Sequence, residues 1–232
     1  MNFIKAIRHY LIKNNNQKFT AYLRKNGVQV GVGCKFRDAR IDITRPSLVT
    51  IGNNVRMNRG FTLLTHDFST SVFRIKYGDF INSSGKVCIG DNVYFGENCT
   101  VLKGVTIGDN CIIGYGSVVT HDIPSNSVAV GSPAKVICSL DEYYEKRKAK
   151  ALDEAFEYAR SIVERFNRMP TVADFKEEFP YFVNGDEVDD FPDINIVAQL
   201  GLAQKHWSKN HKKQFADFDS FLKAAGINSD ES

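Results

Sequence analysis

The 232-residue sequence predicts a mainly β chain: a coil of short strands wound as a triangular prism, with helical segments before and after it. Three observations carry this expectation. Apolar residues recur at every sixth position, glycine often stands beside them, and pattern and charge both change near residue 139.

The repeat is clearest from Ile89, where Ile89, Phe95, Val101, Ile107, Ile113 and Val119 keep phase without a slip. Gly90, Gly96, Gly108 and Gly114 follow four of them, and Val93, Cys99, Val105, Cys111, Ser117 and Ile123 stand four places on. A period of six matches neither a helix nor a simple strand alternation. It matches a chain that makes a short strand, turns a corner and repeats, so that three units complete one coil. The repeated residue is then expected inside, stacked on its equivalents, with the small residue near the corner and glycine accepting the turn. Ile51, Met57 and Leu63 carry the same phase, with Val55 and Phe61 at the corner position. Earlier, VQVGVG at 28–33 and RIDI at 40–43 predict strands of the first coil. Leu63 and Ile89 are 26 positions apart, not a multiple of six, so a protruding loop from about residue 66 to 86 is expected to interrupt the prism.

The flanks differ from this body. Residues 1–26 are basic (Lys5, Arg8, Lys13, Lys18, Arg24 and Lys25, with no acid), and Phe3, Ile4, Ile7 and Leu11 recur at helical spacing. They predict an N-terminal helical cap over the open first coil, with a membrane-surface helix as the other reading. The coil is expected over 27–139 and a C-terminal α-helical region over 140–232. There, Ser139 and Glu142 form a capping box, and the helix they start should run to about Met169. Its expected apolar stripe is Leu140, Tyr144, Leu152, Phe156, Ala159, Val163 and Phe166, with Pro170 beyond its end. TVADFKEEF and FADFDSFLKAA predict two short helices flanking the acidic VNGDEVDDFPD. Residues 1–139 hold 17 basic and 8 acidic side chains and residues 140–232 hold 13 and 19, a split that also suggests two regions. A basic body suits a phosphorylated ligand or an acidic surface, and equally suits plain solvation.

No apolar run reaches the roughly 18 to 20 residues of a membrane span, and no signal-peptide core is present, so a cytoplasmic protein is expected. Cys34, Cys88, Cys99, Cys111 and Cys138 are odd in number and lack C-x-x-C spacing, which predicts free thiols rather than disulfides or a zinc site. No nucleic-acid partner is expected.

The segment IGDNVYFGENCTVLKGVTIGDNCIIGYGSVVTHDIPSNSVAVGSPAKVI, residues 89–137, resembles the closing coils of the hexapeptide acyltransferases. The likeness is strongest to the maltose and galactoside acetyltransferase-like and capsular polysaccharide O-acetyltransferase groups. It covers roughly 27–140, and GSVVTHDIP and GSPAKVI are its most specific pieces. The resemblance implies a left-handed parallel β-helix, against the usual right-handed parallel crossover. It also implies a homotrimer, acetyl-CoA as donor, and active sites in clefts between subunits, with no metal. His66 in TLLTHDFSTS matches the family's catalytic histidine, with Asp67 beside it as a candidate to orient an imidazole or bind acceptor hydroxyls. For the donor, the resemblance points to Glu97 and Tyr115, to Thr120 and His121 at the next corner, and to Lys135 for the nucleotide phosphates. Tyr94 stands where tryptophan is frequent and could pack beside the pantetheine arm. The sequence departs from the pattern at His121, where lysine is common, and at Cys138, where a second arginine often sits.

The expected activity is transfer of an acetyl group from acetyl-CoA to a hydroxyl of a sugar or surface-polysaccharide precursor, directly in a ternary complex. Two other readings stand beside it: N-acylation of a nucleotide-linked amino sugar, and a noncatalytic scaffold. A zinc centre, as in γ-type carbonic anhydrases, needs three histidines. Of His9, His66, His121, His206 and His211 only His66 and His121 lie in the coils. Cys99 and Cys111 occupy the small-residue position, where a thiol behaves as a small hydrophobe rather than an acyl carrier. Association with a membrane surface or with polysaccharide machinery fits the flanks, whose roles the sequence leaves open.

Overall fold

The computed structural model describes residues 15–228. The chain divides into two compact units, Met1–Glu145 and Lys146–Ser232. The helical pattern at Phe3–Leu11 lies outside the described residues.

The first unit is a coil of three parallel sheets visited in rotation. One face stacks β1 (Gln29–Val30), β4 (Val49–Ile51), β7 (Val87–Ile89) and β10 (Thr106–Ile107). The second stacks β2 (Lys35–Phe36), β5 (Arg56–Met57), β8 (Val93–Phe95), β11 (Cys111–Ile113) and β13 (Ser127–Val130), and β14 (Lys135–Ser139) returns antiparallel on β13. The third stacks β3 (Arg40–Ile41), β6 (Thr62–Leu63), β9 (Thr100–Val101) and β12 (Val118–Val119). Register puts like on like: Ile51, Ile89 and Ile107 pair in series, as do Met57, Phe95 and Ile113, and Leu63, Val101 and Val119. All nine are at most 2% exposed, so the six-residue phase is the inward column of each face. The corner residues Val93, Cys99, Val105, Cys111, Ser117 and Ile123 are buried too.

The glycines beside the inward residues have a different cause from the one the sequence suggested. At one corner Asn54, Asn92, Asn110 and Asn126 take the left-handed conformation, at φ of 53°, 56°, 57° and 59°. Asparagine tolerates this region because its short side chain bonds locally. Here each amide donates to the next, at 2.8, 2.9 and 3.1 Å, forming a ladder along the coil axis. Beside it the Asn53 and Asp91 backbone N–H groups donate to the Asp91 and Asp109 carboxylates at 2.7 Å. A β-carbon at Gly90 would lie 2.3 Å from the Asp109 carboxylate oxygen. Close approach of the next coil, rather than a positive φ, therefore requires glycine there.

Helix α1 (Asn16–Lys25) starts at Asn15, whose side chain accepts from the Lys18 N–H. It buries Phe19 and Leu23 in one cluster with Val28 and Phe36 of the first coil, and the Phe19 and Phe36 rings meet edge to face at 5.5 Å. The expected interruption leaves after β6 and re-enters at β7. It is not irregular throughout: α2 (Ser71–Tyr77) forms inside it and stops at Gly78, which takes φ 68° as a helix-ending glycine does.

Helix α3 (Leu140–Phe166) begins at the Ser139/Glu142 box, with the Ser139 N–H donating to the Glu142 carboxylate at 2.7 Å. In the middle of the helix the expected stripe faces the second unit's core, with Ala159 buried and Leu152, Phe156 and Val163 packed against it beside Ala155 and Ile162, whereas Tyr144 and Phe166 at its ends are 59% and 65% exposed. TVADFKEEF makes a 3-10 turn at Val172–Asp174 and enters a second at Phe179–Tyr181 rather than forming an α-helix. Beyond the acidic stretch, α4 (Ile196–Leu200) and α5 (Gln204–Asn210) form, and α6 (Phe218–Ala224) lies in the second expected helix. Phe175, Phe182 and Phe221 meet at 5.4 to 6.3 Å at the centre of this unit.

The asparagine ladder yields a stability test. Asn110→Ala should destabilise the protein by about 1–3 kcal/mol, losing a left-handed residue and two amide bonds. Asn110→Gly should cost less, because glycine keeps the backbone conformation. Thermal unfolding of both variants measures this, and equal losses would remove the backbone part of the explanation.

Candidate active site

The corner between the third face and the first carries the polar cluster, and the register of β3 on β6 creates it. Asp42 follows the inward Ile41 and lies outward on the third face, as Leu64, Leu102 and Thr120 do in later coils. Its side chain is only 7% exposed. One carboxylate oxygen accepts from the Thr44 N–H at 2.9 Å and the Thr44 hydroxyl at 2.6 Å. The other accepts from the Thr65 N–H at 3.2 Å, the Thr65 hydroxyl at 2.5 Å, and meets His66 Nδ1 at 2.7 Å. Burial pushes the Asp42 carboxyl up, but the hydrogen bonds from the Thr44 and Thr65 hydroxyls and N–H groups outweigh it and hold it well below the usual carboxylate range. An ionised Asp42 can only accept, so the shared proton belongs on Nδ1 and the Nε2 lone pair is free. The His66 side chain is 34% exposed, open enough to meet a ligand while its partner is covered.

Asp67 does not touch the imidazole. Its carboxylate pairs with the Lys103 ammonium, accepts from the Ser69 hydroxyl, and accepts from the Ser83 hydroxyl at 3.0 Å. Lys103 belongs to the same corner one coil on, so Asp67 ties the root of the loop to the prism. The root is closed further by an antiparallel bridge between His66 and Ser84 and by the Gly85 N–H donating to Thr65 at 2.9 Å. A β-carbon on Gly85 would sit 2.6 Å from the Gly104 nitrogen, which is why glycine returns the chain there.

The donor candidates fall into three places. Glu97 and Tyr115 are neighbours at the corner between the second and third faces, where the Gly116 N–H donates to the Glu97 carbonyl at 2.9 Å and the Tyr115 hydroxyl accepts from the Asn98 amide at 2.8 Å. Thr120 and His121 share the corner of His66, with the Thr120 hydroxyl 2.8 Å from His121 Nδ1. Tyr94 projects from β8 and Lys135 opens β14, both exposed on the second face. The third face thus runs between the Glu97–Tyr115 corner and the corner of His66 and His121.

Asp42, Thr44, Thr65 and Lys103 were not singled out from the sequence. A signal existed, since an acid stands at Asp42 in a column otherwise apolar or hydroxylic. Ile41 and Leu63 are 22 positions apart rather than a multiple of six, so the six-residue phase did not align them. The thiols of Cys34, Cys99 and Cys111 are pushed up by burial, and each points at a carbonyl oxygen of the adjacent coil, 3.1 to 3.2 Å away. Among the described residues no group of three His, Cys, Asp or Glu side chains could hold a metal ion, and no helix is long and apolar enough to cross a membrane.

The depressed Asp42 carboxyl has a measurable consequence. Asp42→Asn should lower stability by about 1–3 kcal/mol at neutral pH. A folded-state value below the unfolded one gives stability that is present above about pH 4 and is lost as pH falls through the folded value. Melting curves of the two proteins should therefore converge in strong acid, and a difference independent of pH would contradict the ionised network.

The chain is similar to several known proteins. Residues 89–121 match the model of the bacterial transferase hexapeptide (six repeats) family. Protein CapG of Staphylococcus aureus is 39% identical over 157 residues, covering 67% of this chain and 88% of CapG. YvoF of Bacillus subtilis (strain 168) is 34% identical over 110 residues, 47% of this chain and 59% of YvoF. The structure of a maltose O-acetyltransferase from Clostridium difficile 630 aligns at 29% identity and a TM-score of 0.40, over 56% of this chain and 81% of that one. With a six-residue phase unbroken from Ile89 to Val119, a family model matching that stretch and a relative 39% identical covered over 88% of its length, the chain belongs to the hexapeptide-repeat transferase family.

Proposed function

We propose that this protein is an acetyl-CoA-dependent O-acetyltransferase acting on a sugar hydroxyl, with His66 as general base and Asp42 as its positioning residue. The observation that carries the reading is the 2.7 Å contact between His66 Nδ1 and an Asp42 carboxylate anchored by two threonines. A sugar hydroxyl is a poor nucleophile at neutral pH. Nε2 of His66 takes its proton as the oxygen attacks the thioester carbonyl, and Asp42 stabilises the imidazolium that forms. Collapse of the tetrahedral intermediate breaks the carbon–sulfur bond, and the proton returns from His66 to the departing thiolate. The products are the O-acetyl sugar and free CoA, so atoms and charge balance without a covalent enzyme intermediate. The buried, protonated thiols of Cys99 and Cys111 support direct transfer.

In this reading the coil winds left-handed and three copies assemble, with acetyl-CoA in the cleft between neighbours. Tyr94, Glu97, Tyr115, Thr120, His121 and Lys135 serve the donor. A trimer accounts for candidates that one chain distributes over two corners and a face, because a neighbour can bring one corner against another. Asp67 serves the loop root rather than the reacting atoms.

Thiol release from acetyl-CoA with a panel of sugars and nucleotide amino sugars tests the proposal. His66→Ala should reduce turnover by about 10²–10⁴-fold while leaving acetyl-CoA binding intact. Undiminished turnover in the variant would remove His66 as the base. Transfer to amino groups alone would replace O-acetylation by the N-acyl reaction.

A further inference from the structure

In the loop that follows His66, the Arg74 guanidinium is held by aromatic rings rather than by an anion. Arg74, in the middle of α2, folds back so that its guanidinium carbon lies 4.6 Å from the Phe68 ring centre and 4.0 Å from that of Phe80. Phe68 is two residues after His66, so the sandwich returns the charge toward the loop root. No ion pair or side-chain hydrogen bond of Arg74 is made with another described residue, and its Nε is buried without a partner. Of the carboxylates in and below the loop, Asp42 is saturated and Asp67 is taken by Lys103, Ser69 and Ser83, while Asp79, five residues on, makes no ion pair with Arg74. Phe68 and Phe80 are 67% and 73% exposed, so Arg74 is not filling a core. Two aromatic faces hold a guanidinium well, strip part of its water and fix its plane. They leave its donors unsatisfied, and a buried N–H without an acceptor is costly. A planar fork held this way matches an oxyanion approached edge-on.

Resting on the acetyl-transfer reading, we propose that Arg74, clamped between Phe68 and Phe80, recognises a negatively charged group on the acceptor, so that the substrate is an acidic saccharide. The anionic group is a carboxylate on the sugar or a phosphate attached to it. Arg74 selects the acceptor and takes no part in proton transfer.

The test measures thiol release with glucose, glucuronate and glucose 1-phosphate as acceptors. Wild type should use at least one of the anionic acceptors with a kcat/KM roughly tenfold or more above glucose. Arg74→Gln should raise the KM for that acceptor and bring the ratio toward one, while the KM for acetyl-CoA stays within about twofold. Arg74→Lys should keep much of a phosphate preference and lose a carboxylate preference, which separates the two sources of charge. A purely structural role would depress all three acceptors together and leave the ratio alone, and that result would overturn the proposal. So would equal use of glucose and both anionic acceptors by the wild type. Absence of thiol release with every sugar would instead count against the transfer reading beneath it.

Discussion

Strands of two or three residues cannot hold a sheet by themselves, and the coil depends on what repetition adds. Every inward residue lies over its equivalent, so Ile51, Ile89 and Ile107, or Leu63, Val101 and Val119, share apolar columns while their backbones pair in parallel. The same register runs through the corners, where asparagine amides and aspartate carboxylates repeat from coil to coil. A residue's place is therefore fixed by its count from the last inward position. That constraint sets Asp42 beneath Thr65 and His66, and Lys103 beside Asp67, across 24 and 36 residues of sequence.

The cluster at this corner shows how a repetitive scaffold brings distant polar residues together. Three coils contribute to one place: Asp42 and Thr44 from the first, Thr65 to Asp67 from the second, Lys103 from the third. Rigid backbone pairing on one side and a pinned loop root on the other leave the imidazole little freedom except at its solvent-facing nitrogen. Preorganisation of this kind serves a base, whose proton transfer depends on geometry before basicity.

The inward columns were legible because a six-residue phase is a direct image of stacking, and Ile89 to Val119 keep it without interruption. His66 was legible as the residue at the break. Asp42 was not, because the first coil carries additional residues that shift the spacing of Ile41 and Leu63 to 22. Nor was the role of Gly90, whose neighbour's carboxylate is visible only once the coils are stacked. At the end of the first unit the Ser139/Glu142 start was readable from local chemistry, and so was most of the face of α3 that meets the core, but not its partners Phe175, Phe182 and Phe221. Those partners lie far along the chain, and helical periodicity alone did not find them.

Coupling between His66 and Asp42 is the centre of the proposed mechanism, and a double-mutant cycle on turnover measures it most directly. The four proteins are wild type, Asp42→Asn, His66→Ala and the double variant, compared for acetyl transfer to the same acceptor at saturating acetyl-CoA. If Asp42 acts through the imidazole, Asp42→Asn slows the wild type strongly and changes the His66→Ala protein little. Equal losses in both backgrounds would mean that Asp42 and His66 act independently, and the positioning role would fall.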